Sequence, residues 1–128
     1  MAQPQQIPDQ FQLSQISSIV LGVTNLDQSI AFYSGRLGLK IRLREPQIAV
    51  LEAGSMALVL SPGHIRLAPQ AAGATEVVFH VERVRTARES LIAQGVIFFT
   101  EPRQVTPTEW AAYFRDPDGH LLSIFGPE

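Results

Sequence analysis

The chain has no cysteine, one tryptophan, one lysine and three histidines in 128 residues, and each scarcity restricts its chemistry. Without thiols there is no disulfide framework, no thiolate metal site and no cysteine nucleophile. Any metal ligand would have to come from histidine or carboxylate. Glycines occur singly, so no phosphate-cradling loop is present, and no Gly-x-Ser-x-Gly elbow marks a serine nucleophile. A nucleotide cofactor is not expected. No apolar run approaches the roughly 18 residues of a membrane span, and the N-terminus lacks the basic start and apolar core of a signal peptide. The expectation is a cytoplasmic protein with no membrane partner. Strong charge of either sign is also missing: the net charge is −2, and the nine arginines are scattered along the chain. That leaves no basic field for a phosphate backbone, so nucleic acid is excluded as a partner.

What the sequence does have is an internal repeat. Ile19-Val-Leu-Gly-Val-Thr-Asn-Leu26 and Val77-Val-Phe-His-Val-Glu-Arg-Val84 align without a gap at an offset of 58. Gly38 then matches Gly95, and Gly54-Ser-Met-Ala-Leu-Val-Leu60 matches Gly119-His-Leu-Leu-Ser-Ile-Phe125. A unit of 45 to 50 residues repeated only twice is too short for a solenoid. It implies two half-domains closing on each other with a cavity between them. A 45% hydrophobic chain of this length forms one domain that buries about two-thirds of its unfolded surface.

Residues 1–15 carry six glutamines and two prolines with little periodicity, which predicts a flexible tail or an arm packing on a partner through Ile7, Phe11 and Leu13. The domain is read as residues 16–126, with module one at 17–61, a linker at 62–74 and module two at 75–126. Alternation from Ser18 predicts a strand with Ile19, Leu21 and Val23 on one face. Asn25 or Asp27 then caps a helix from about Gln28 whose stripe of Ile30, Phe32, Tyr33 and Leu37 stops at Gly38. Strands follow over 39–44, 48–52 and 57–60. Module two repeats the plan with a strand over 76–81, a helix over 86–94 ending at Gly95, and strands over 96–100, 110–115 and 121–125. Asp116-Pro-Asp-Gly119 supplies the final turn. The predicted class is α+β: two tandem β-α-β-β-β modules forming a U-shaped mixed sheet around a pocket, with helices on the outer faces.

This plan, with Val23-Thr-Asn-Leu26, Ser29-Ile-Ala-Phe-Tyr33, Leu37-Gly-Leu39 and Phe114-Arg-Asp-Pro-Asp-Gly119, resembles the vicinal oxygen chelate superfamily, also called the glyoxalase, bleomycin resistance and dioxygenase family. The resemblance covers residues 16 to 126 and implies a homodimer with a small-molecule pocket. Enzymes of that family hold a divalent metal through residues at the start of each opening strand and near the middle of each closing strand. Here those positions read Ser18, Leu58, Glu76 and Ser123, and three of the four are unsuitable as ligands. A two-residue slip adds His80 beside Glu76 on one strand face but no third donor. No cofactor is therefore expected, and a divalent metal would need an atypical site.

The catalytic or orienting candidates are Glu76, as a base or hydrogen-bond acceptor, and His80 beside it. Against these stand a rim carboxylate paired with arginine and a structural imidazole. His120 is expected at an exposed hairpin and His64 in the linker. Ligand-binding candidates are Ser18, Leu58 and Ser123, together with Met56, Phe99, Trp110 and Phe114 as an aromatic and thioether lining. Core packing competes for Phe99 and Phe114. Arg44, sharing a face with Arg42, is a candidate clamp for a carboxylate or phosphate. Two functions are carried forward. One is a metal-free protein that binds or sequesters a hydrophobic or planar ligand; the other is a glyoxalase-like or dioxygenase-like enzyme using an atypical metal site or Glu76 as a base.

Overall fold

The computed structural model describes residues 13–64 and 75–128. The predicted tail, apart from Leu13 to Gln15, and most of the predicted linker lie outside the described residues. Module one runs β1 (Ser18–Gly22), α1 (Leu26–Ile30), a π-helical turn (Ala31–Arg36), β2 (Ile41–Glu45), β3 (Ile48–Ala53) and β4 (Met56–Ser61). Module two runs β5 (Glu76–His80), α2 (Val84–Ala93), β6 (Arg103–Thr106), β7 (Glu109–Arg115) and β8 (Leu121–Gly126). The class is α+β, and each module builds a four-stranded mixed sheet: β1-β4-β3-β2 and β5-β8-β7-β6. In both, the opening strand pairs parallel to the closing strand, and the others pair antiparallel.

Local chemistry accounts for the helix ends. Asn25 is extended, and its side chain accepts a hydrogen bond from the Gln28 amide at 3.0 Å, which satisfies one orphan donor of the first turn. The helix then widens, with the Leu37 amide donating to the Phe32 carbonyl five residues back. Within this segment both Phe32 and Tyr33 are buried, their rings edge to face at 5.3 Å. α2 ends in a Schellman arrangement: the Gly95 amide donates to Ile92 and the Val96 amide to Leu91. Gly95 accepts the φ of +95° that this reversal requires.

One prediction is corrected in module two. Residues 96–100 form no strand; Phe98 makes only an isolated bridge to Phe114, and the edge strand is β6, which begins at Arg103. Gly95 is spent in the helix cap, and Val96 is buried where it packs on the core, so the chain reaches the sheet edge late.

The helices cover one face of each sheet, and those two faces share a single core. Ile19, Leu21, Leu58 and Leu60 from sheet one join Phe79, Phe114, Leu122 and Ile124 from sheet two, with Phe32 and Tyr33 between them. The Phe32 and Phe114 rings lie 6.4 Å apart, directly linking the modules. A polar clasp closes the same junction. The buried Asp116 carboxylate accepts hydrogen bonds from the Tyr33 hydroxyl and from the amides of Asp118 and His120. Asp118 in turn accepts from the Thr24 amide and hydroxyl. His120 is not the exposed tip that was expected: it is half-buried, and its Nε2–H donates to the Gly22 carbonyl at 2.7 Å.

The opposite faces of both sheets remain open. Val20 on β1, Leu43 on β2 and Val78 on β5 are 38%, 45% and 51% exposed. The two sheets do not pair with each other along their edges among the described residues.

Candidate functional site

Strand register decides which side chains share the open face of sheet two. Glu76, Val78 and His80 alternate with Val77 and Phe79, which pack on the core. Val78 is the register partner of Ser123, and Ser123 is that of Tyr113. One row of the face therefore reads Val78, Ser123, Tyr113 across three strands. The Ser123 hydroxyl donates to Glu76 Oε2 at 2.5 Å, a short charge-assisted bond. Ser123 is almost fully buried, whereas Glu76 and His80 are exposed. Ser18 lies on the open face of sheet one, opposite Ala57 and on the same side as Val20 and Val59.

The same register argument moves five predicted residues away from this surface. Leu58 pairs with Ile19 and is 2% exposed on the helix-covered side, so Val59 faces outward in its place. Phe114 is fully buried in the shared core. Trp110 lies two residues from Ala112 on that same side, where the Arg85 guanidinium of α2 stacks 5.5 Å from its ring. Met56 pairs with Ala53, which packs on the core, so it also lies on the helix side. Arg44 turns to the helix side and pairs with Asp27 at 2.5 Å, so its charge is committed within module one. His64 contacts Ser61 Oγ at 3.0 Å, a local bond at the end of β4.

Sequence reasoning named Phe99 as a candidate for the lining but missed Tyr113, Arg115 and Arg103 on the open face. Tyr113 and Arg115 have the parity opposite to Phe114, and Arg103 on β6 pairs with Ala111 on the open side. Phe99 is not core: it is 53% exposed, and its ring stacks on Tyr113 at 6.3 Å, while Phe98 takes the core position against Phe114. The signal was present in Trp110-Ala-Ala-Tyr-Phe114, where burying Phe114 forces Tyr113 outward.

Two four-stranded βαβββ modules, each with one helix-covered face, one open face and a closing strand parallel to the first, realise the duplicated plan that the repeat implies. The sequence profile of the Glyoxalase/Bleomycin resistance protein/Dioxygenase superfamily matches residues 15–124. The chain belongs to this superfamily. Glutathione transferase FosA from Serratia marcescens is 30% identical over 117 residues, spanning 88% of this chain and 80% of the transferase. In structure, the chain is similar to TnmS3, an antibiotic binding protein from Streptomyces sp. CB03234, with a TM-score of 0.76 at 20% identity over 92% of this chain and 99% of that one. Lactoylglutathione lyase from Agrobacterium tumefaciens superposes with a TM-score of 0.74 at 21% identity, over 89% and 94% of the two chains. At these identities the two structures establish the shared fold and nothing finer.

The donor set can be tested against a superfamily metal. Among the described residues no three His, Asp or Glu side chains converge. On the open faces Ser18, Val59, Glu76 and Ser123 offer one carboxylate, already engaged by a hydroxyl, together with two serines and a valine. Such a set does not fit a divalent ion, which requires several carboxylate or imidazole donors.

Proposed function

We propose that this superfamily member binds or sequesters a hydrophobic or planar small molecule against the open face of sheet two, by burial and without the usual metal centre. The observation that carries the reading is the Glu76–Ser123 pair, a carboxylate oriented by a hydroxyl beside Val78, Leu121 and Tyr113 on an exposed face. An apolar surface holding a few placed polar groups is the usual composition of a ligand site. Glu76 would accept from a ligand N–H or O–H, and His80, two residues along β5, would orient it. The 30% identity to FosA, a transferase, supports small-molecule handling by the fold.

The site needs a second wall. Exposed Val20 and Leu43 on sheet one and Val78 on sheet two call for a partner, and a two-fold homodimer would set sheet one of one chain over sheet two of the other. Ser18 would then face Glu76 across the cup. The test is a thermal-shift screen of small molecules on EDTA-treated protein, repeated with Val78→Trp, which fills the open face from an exposed position of the same row. Ligands that raise the melting temperature of the wild type and not of the variant support the reading. Hits indifferent to the substitution refute it.

The likeness to a glutathione transferase favours a second reading, an enzyme of the same fold in which Glu76 or His80 serves as base or an atypical metal site forms. Turnover of a thiol-transfer substrate that survives in Glu76→Gln, or that EDTA abolishes, would separate the two versions of this reading from each other. Absence of turnover would leave the binding function.

A further inference from the structure

The outer half of the same open face carries a four-membered column. The Arg103 guanidinium lies 6.0 Å from the Tyr113 ring, Tyr113 and Phe99 stack at 6.3 Å with planes 30° apart, and the Arg115 guanidinium lies 5.1 Å from the Phe99 ring. Arg44, Arg85 and Arg88 are each paired with a carboxylate, Asp27, Glu128 and Glu101. Among the described residues Arg103 and Arg115 form no ion pair. Arg115 spends one N–H on the Gly119 carbonyl and retains the rest of its fork. Phe99 keeps half its ring in solvent although the core lies one residue away.

We infer that this column selects an anionic aromatic ligand, its ring packed against Phe99 and Tyr113 and its carboxylate or acidic phenol held by Arg103 or Arg115. The inference rests on the proposal that the open face binds ligand, and names the class of molecule it takes. Rings supply stacking area at little conformational cost, while a guanidinium over a ring face is pre-oriented and meets a carboxylate with two parallel N–H donors. Tyr113 is the register partner of Ser123, and β5 lies two strands from β7, roughly 10 Å at ordinary strand spacing. The preferred ligand therefore has an anion at one end and a hydrogen-bond donor toward Glu76 at the other.

Calorimetric titration of the full chain with 2-naphthoate and with 2-naphthamide compares two probes of one ring and nearly one size that differ in charge. The wild type is expected to bind the naphthoate about tenfold or more tightly than the amide, as charge-assisted bonds exceed neutral ones by that order. Arg103→Gln/Arg115→Gln should erase the preference while retaining the amide affinity, and Tyr113→Ala should weaken both probes. Equal affinities in the wild type, with both lost in Tyr113→Ala, would overturn the anion assignment and leave the open-face reading standing. Binding of neither probe, or binding indifferent to Tyr113→Ala, would overturn both. Circular dichroism and melting of each variant confirm that the fold is retained.

Discussion

The Tyr33 hydroxyl donates to Asp116 Oδ2 at 2.7 Å, joining the helical segment of module one to the final turn of module two inside the shared core. Tyr33 is fully buried and Asp116 nearly so. Tyr33→Phe leaves a buried carboxylate oxygen without its donor, at a cost of about 1–3 kcal/mol in chemical unfolding. The paired change Tyr33→Phe/Asp116→Ala should cost less than the sum of the singles, because the one hydroxyl–carboxylate bond is then lost once and not twice.

The same contact makes stability depend on alkaline pH. Burial, then the Asp116 charge and hydrogen bond, then Asp118, raise the Tyr33 phenol far above its ordinary value. The folded state therefore keeps a proton that the unfolded chain loses near pH ~10. Stability contributed by Tyr33 is fully present below that pH and falls above it, by up to about 1.4 kcal/mol per pH unit for one proton. Denaturant midpoints measured from pH 8 to 11 should show this decline, and Tyr33→Phe should flatten it.

Gly126 ends β8 where the backbone of Val81 passes over it. A Cβ at this position would collide with the Val81 carbonyl oxygen, a backbone atom that cannot swing aside. Gly126→Ala is expected to lower the melting temperature sharply, whereas Gly35→Ala, which meets nothing within 4 Å, should leave it near the wild type.

The two faces of sheet two should answer differently to substitution. Phe114→Ala empties the core and should cost about 3–5 kcal/mol by denaturant titration. Val78→Asp, on the open face at 51% exposure, should leave chain stability within about 0.5 kcal/mol while abolishing the proposed dimer in sedimentation.

Much of this architecture is legible in residues whose alternation is clean. Ser18 to Val23 and Glu76 to His80 show their sidedness directly, and Gly38 and Gly95 mark both helix ends. Glu76, His80, Ser18 and Ser123 were singled out by the resemblance to the superfamily, and they lie on the open faces. Leu58 came from the resemblance, which puts a site residue near the middle of each closing strand, but the two closing strands are out of phase by one: Ala57 and Val59, not Leu58, share the open side. One residue of phase exchanges the two faces. Trp110 drew attention as the single tryptophan, but its parity is that of Phe114. β6 was hidden because Arg103-Gln-Val-Thr106 has one apolar residue, while 96–100 looked more like a strand than the edge that replaced it. That Arg44 is spent on Asp27, and that Arg103 and Arg115 are not, depends on distances across the fold that spacing along the chain does not carry.

The polar pair at the site gives a separable expectation. Ser123→Ala and Glu76→Gln should each weaken any ligand found on the open face by about tenfold, the worth of one charge-assisted bond, with little change in melting temperature. A loss of affinity that tracks loss of fold would assign the pair a structural role instead.

Native mass spectrometry of protein purified without chelator tests the central claim most directly, because one spectrum reads both the number of chains and any bound metal. The account predicts the mass of two chains and no metal. A stoichiometric metal in each chain, or a single chain at micromolar concentration, would contradict it.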